Sequence, residues 1–160
     1  MKANKPISVK LMESRMDRLA QTVSRCKGMK KINGVWASQC VTCGKWGPCF
    51  GAGAHQGGHF IPRGCRITRW EPMNIWPQCI ACNNYRDGAY IEYSHWMMKN
   101  HPEVYDGVIA LYDQHKRGAA PKLSVIEKRA LYNSWLKKGR GLEKKIGRTI
   151  FPKSWDYVKM

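Results

Sequence analysis

A chain of 160 residues, 43 % of them hydrophobic, has room for one modest core and little more. It holds no apolar run of about 18 residues, which excludes a membrane-spanning helix, and its opening stretch MKANKPISVK lacks the apolar segment of a secretory signal, so an intracellular protein without a membrane partner is expected. The net charge of +17, from 28 Lys and Arg against 11 Asp and Glu, opposes compaction and suits a polyanion, nucleic acid above all, rather than a merely solubilising surface.

In chain order, residues 1–36 form a basic extension. Leu11, Met12, Met16, Leu19 and Val23 recur at near-helical spacing, and Gly28 suits the end of that helix. Residues 37–90 change character, being rich in Gly, Cys, Trp and Pro and poor in helix signals. Residues 91–160 are again basic and helical. His101-Pro102 predicts a break between two helices, because proline disfavours helical geometry in the residue before it. Ser124 predicts the cap of a further helix over 125–139, and a basic, aromatic tail follows. His95, His101 and His115 are expected at the surface or at helix ends, and Trp96, Met97 and Met98 in a core.

Seven cysteines without a secretory signal argue against a disulfide framework. Four of them form two C-x-x-C pairs, Cys40 with Cys43 and Cys79 with Cys82, and two such turns can meet at one tetrahedral Zn²⁺. The ion would close the Gly-rich segment between them and supply stability that this segment cannot draw from a core. Cys49 is an alternative ligand; Cys26 and Cys65 are expected to be unliganded. Inside the closed segment, GHFIPR (58–63) reads as a strand, MNIWPQ (73–78) as a second strand, and CIACNNYRDG (79–88) as a short helix ended by Gly88. His59 and Asn83 could then face one cleft. Between residues 37 and 86 the only carboxylate is Glu71, so the clustered acids that hold two catalytic metals are absent. Phosphodiester cleavage here would need a histidine base and one metal with few protein ligands.

The stretches CVTCG (40–44), GGHFIPR (57–63) and RWEPMNIWPQCIACNNYRDG (69–88), with the aromatic helical region after Tyr90, resemble the HNH, or ββα-metal, nuclease superfamily. Within it the chain is similar to the lambdoid phage NinG (Rap) recombination proteins over roughly residues 40–136. The endonuclease VII family has a similar plan, with four zinc cysteines and an asparagine directly after the last.

The resemblance implies an α+β fold: a zinc-stapled ββα-metal (HNH) core between N- and C-terminal helical extensions. It implies Mg²⁺-dependent cleavage of branched or recombining DNA, with Mn²⁺ as a substitute ion, in the cytoplasm of a bacterial host. His59 matches the general base, Asn83 the Mg²⁺ ligand, and Asn74 the asparagine that braces the loop holding the base. Arg63, Arg69 and Arg86 are candidates for phosphate contact. Where many relatives carry an aspartate one or three residues before the base, this chain has Gly58 and Gln56, which leaves Gln56 or His55 to assist the metal. Cutting both strands of a junction favours a homodimer. Two rival readings are a non-catalytic zinc module that binds nucleic acid and a sequence-specific HNH endonuclease acting on duplex DNA.

Overall fold

The computed structural model describes residues 7–155, 157 and 158. It is a mixed α/β structure of helices and two small sheets, dividing into two compact units, one of Met1–Ala20 with Leu123–Met160 and the other of Gln21–Lys122. Compactness thus divides the chain at other places than composition, which changes at 36 and 90.

The first unit is held by conventional helix packing. Helix α1 (Val9–Arg25), whose N-terminal part belongs here, buries Met12, Met16, Leu19 and Ala20 along one stripe, as their spacing requires. Leu11 lies off that stripe and is exposed. Helix α4 (Val125–Ile146) opens with a capping box: the Ser124 hydroxyl accepts from the Glu127 N–H, and the Glu127 carboxylate accepts from the Ser124 N–H at 2.7 Å. It runs past Gly139, which is a packing residue rather than a helix end. A Cβ there would come within 2.8 Å of Leu19 and 2.9 Å of Phe151. The helix stops at Gly147, in left-handed geometry. The tail is then pinned by Glu143, which accepts from the backbone N–H groups of Ile150 and Phe151, both at 2.7 Å. Arg140 reaches the carbonyls of Phe151, Pro152 and Trp155.

The second unit carries both sheets. Strands β1 (Lys30–Ile32), β2 (Val35–Gln39) and β3 (Trp46–Pro48) form an antiparallel three-stranded sheet. The β1–β2 turn is Asn33-Gly34, both with positive φ, the pair that two-residue hairpins favour. Strands β4 (Gln56–His59) and β5 (Ile75–Gln78) form a separate antiparallel pair, with Gln56 opposite Gln78 and His59 opposite Ile75. The first strand is shorter than 58–63 suggests. After His59 the chain turns inward, and Phe60 and Ile61 join the core, where Phe60 donates its N–H to the Asn74 carbonyl at 2.9 Å. The segment after β5 is a five-residue π-helical turn (Ala81–Tyr85) rather than a regular helix.

Helices α2 (Tyr90–Asn100) and α3 (Pro102–Lys116) meet at the His101-Pro102 break. They cover Phe60, Ile61 and Cys65 with Tyr93, Met97 and Val108. Trp96 packs against this cluster, whereas Met98 is exposed, since its position on α2 points away. His101 does more than end a helix: its ring stacks on Trp76, centroids 4.6 Å apart.

Candidate functional site

The two C-x-x-C pairs converge. Cys40 and Cys43 occupy the turn between β2 and β3. Gly44, with φ +74°, donates to the Cys40 carbonyl at 2.8 Å, and the Cys40 N–H reaches the Lys45 carbonyl at 2.9 Å. Cys79 and Cys82 follow β5 and enter the π-helical turn. Val41 donates to the Pro77 carbonyl at 2.9 Å, which ties the two turns together. All four sulfurs lie within 4.8 Å of one another, and Cys43 Sγ is 3.8 Å from Cys79 Sγ. Tetrahedral zinc with Zn–S bonds of about 2.3 Å sets sulfurs about 3.8 Å apart, so the four thiols are positioned to bind a zinc ion. Burial pushes the Cys43 and Cys79 thiols up. At Cys40 burial acts in the same direction, but hydrogen bonds from the Thr42 hydroxyl and from backbone groups of Cys79, Cys43 and Thr42 outweigh it and bring the thiol down to about 6. Cys49 is not part of this cluster: it is buried beside Cys26, with its sulfur toward the Arg25 carbonyl at 3.9 Å. Cys26 and Cys65 are buried outside it as well.

One residue beyond Cys82, Asn83 enters a second feature, a cleft of about 470 Å³ that also takes in His59, Gln56, Arg63 and Asp87. The Asn83 N–H donates to the Cys79 carbonyl at 3.0 Å, so the cysteine turn sets its backbone. Its side-chain Nδ2 donates to Gln56 Oε1 and to Asn84 Oδ1, and among the described residues nothing donates to Asn83 Oδ1. An amide oxygen of that kind is a hard donor suited to Mg²⁺.

His59 Nε2 donates to the Arg69 carbonyl at 2.9 Å. A carbonyl only accepts, so Nε2 carries the proton and Nδ1 is the basic nitrogen of the neutral ring. The loop that supplies this carbonyl is braced from within by Asn74, which is wholly buried. Asn74 Nδ2 donates to the carbonyls of Ile61 and Thr68, both at 3.0 Å, and its Oδ1 accepts from the Ile61 N–H at 2.7 Å. Buried in this way, Asn74 holds the loop rather than touching a substrate.

The other residues singled out from the sequence fall in different places. Arg63 lines the cleft. Arg69 lays its guanidinium 5.1 Å from the Trp70 ring centre. Arg86 does not line the cleft; it pairs with Glu92 and donates toward Cys82 Sγ at 3.9 Å, one of the four clustered thiols. His55 is buried elsewhere, against the Ser38 hydroxyl at 3.3 Å, and burial lowers its pKa. Of the two candidates to assist a metal, only Gln56 therefore reaches the cleft. Sequence reading left Asp87 and Gln21, both on the cleft wall, without a role.

The family model described as "Bacteriophage Lambda NinG protein" matches residues 8–144. No curated protein and no solved structure matched the chain.

Proposed function

The chain belongs to the bacteriophage lambda NinG family, a phage recombination-related group, and from that premise we propose that it is an HNH-type endonuclease that hydrolyses DNA phosphodiesters in branched recombination intermediates. The observation that carries this reading is the shared cleft of His59, Gln56 and Asn83, with the His59 tautomer set by the Arg69 carbonyl.

His59 Nδ1 takes a proton from water, and the resulting hydroxide attacks phosphorus in line. The P–O3′ bond breaks, and the 3′ oxygen leaves and is protonated by solvent, so the products carry a 5′-phosphate and a 3′-hydroxyl. Asn83 Oδ1 would hold Mg²⁺ (or Mn²⁺), which when bound would supply charge neutralisation at the phosphate and the leaving oxygen. Asn74 keeps the base loop in place, Arg63 meets phosphate, and the zinc thiolates fix the turn from which Asn83 projects. The charge of +17 supports binding to the DNA backbone. A homodimer acting in the host cytoplasm fits the cutting of two strands.

The test incubates zinc-loaded protein and Mg²⁺ with a four-way junction, a flap and a linear duplex of matched sequence. The expected result is cleavage of the branched substrates with 3′-hydroxyl ends. Tight binding to all three without cleavage would favour a non-catalytic zinc module. Preference for one linear sequence would favour a duplex-specific enzyme.

A further inference from the structure

The cleft poses a question of charge: in a chain of net +17, two neutral amides are a poor match for a divalent cation. Resting on the metal-dependent reading above, we propose that Asp87 supplies the carboxylate ligand for the cation at Asn83.

The positions before the base cannot do so. At Gly58 there is no space, because a Cβ built there would overlap the Gln78 amide oxygen. Gln78 is wholly buried and anchored through its Nε2 to the Gly88 carbonyl at 2.7 Å, so it does not yield by swinging into solvent. Gln56 is neutral, and its Oε1 accepts from Asn83. His55 lies outside the cleft. Glu71 lies outside it as well, accepting from the Met73 N–H at 3.3 Å. Among the described residues, the carboxylate on the cleft wall is that of Asp87.

Its position is built. Asp87 stands four residues after Asn83, and both line the cleft. Asp87, Gly88 and Ala89 all have positive φ, at 47°, 82° and 48°, a conformation that non-glycine residues rarely adopt in sequence. Gln78 holds the middle of this triplet through the Gly88 carbonyl, the same side chain that fills the space above Gly58. The side chain that bars an acid before the base therefore also anchors the turn carrying an acid into the cleft. A carboxylate and an amide oxygen, with water and phosphate completing the shell, form the donor set that Mg²⁺ and Mn²⁺ favour.

Mn²⁺ alone tests this by electron paramagnetic resonance, without DNA and without any activity readout. Zinc-loaded wild-type protein binds one Mn²⁺, and Asp87→Asn weakens that affinity about tenfold or more at unchanged zinc content and circular dichroism. Unchanged affinity in Asp87→Asn would overturn the proposal, as would a wild-type protein that binds no Mn²⁺ at millimolar concentration. Should the variant fold poorly, Mn²⁺ broadening of wild-type amide resonances decides. Signals of Asn83, Asp87 and Gly88 vanish first if the assignment is right; broadening confined to other acids, such as Asp106 and Asp113, refutes it. Mn²⁺ binding that depends on Asp87 in a protein that cleaves no DNA would sink the nuclease reading while leaving the ligand assignment standing.

Discussion

The unit of Met1–Ala20 and Leu123–Met160 buries Met12, Met16, Leu19, Tyr132, Trp135, Leu136 and Phe151, an ordinary apolar interior between long helices. The unit of Gln21–Lys122 has strands of three to five residues, a long loop braced from within by Asn74, and a π-helical turn. Its apolar cluster lies against α2 and α3, while the strand ends and the turn bearing Asn83 meet at four cysteines. The contrast teaches that the part of the molecule around the cleft relies on amide hydrogen bonds and on four converging thiols positioned to bind zinc, and the other part chiefly on burial. Burial tolerates small shifts, whereas the proposed pairing of a base and a metal ligand across one cleft would not.

Removing zinc should separate the two units most sharply. Structural zinc contributes on the order of 10 kcal/mol or more of folding free energy. After chelation, hydrogen exchange should rise across the Cys40–Cys43 turn and residues 75–89 while α4 keeps its protection. Simultaneous loss of protection in both units would break the comparison. In the other unit, Leu136→Ala should cost about 2–5 kcal/mol in denaturant unfolding, with zinc content unchanged.

Asn74→Ala acts within the unit of Gln21–Lys122. It strips partners from the Ile61 N–H and from the carbonyls of Ile61 and Thr68, at about 1–3 kcal/mol for each group left buried and unpaired. Cleavage should fall while the four-cysteine zinc stoichiometry persists. Equal cleavage by wild type and variant would remove Asn74 from the account.

The smallest effect is a pH dependence. His55 is buried and neutral, with its pKa held below the usual 6.5. Below pH 6.5 the unfolded chain takes a proton that the native one refuses, so this contribution is present above that pH and lost as pH falls. A His55→Gln variant should show a shallower loss of stability between pH 6.5 and 5. An identical slope would mean that other groups carry the acid response.

Local signals made much of this legible. The His101-Pro102 break, the Ser124 cap and the cysteine pairs each rest on the chemistry of a few adjacent residues, and each has its counterpart in the structure. The Asn33-Gly34 hairpin is equally local, yet it falls in the stretch 1–36 read as a helical extension, where strands β1 and the start of β2 stand instead. What periodicity could not supply depends on long-range contacts. Phe60 and Ile61 leave the strand because Asn74, more than a dozen residues on, takes their backbone groups. Arg86 is drawn to Glu92 and Cys82 only once the turn has formed. Asp87 stands one residue beyond the carboxylate-poor segment 37–86, and it lines the cleft at the start of a run of left-handed residues that only the folded chain reveals.

The central claim is that His59 is the base of a phosphodiester-cleaving cleft. Its most direct test is single-turnover cleavage of a four-way junction in Mg²⁺ by zinc-loaded wild-type and His59→Ala proteins. The account predicts a rate lowered about 10²–10⁴-fold in the variant, with junction affinity and zinc content retained. Cleavage at the wild-type rate would contradict it.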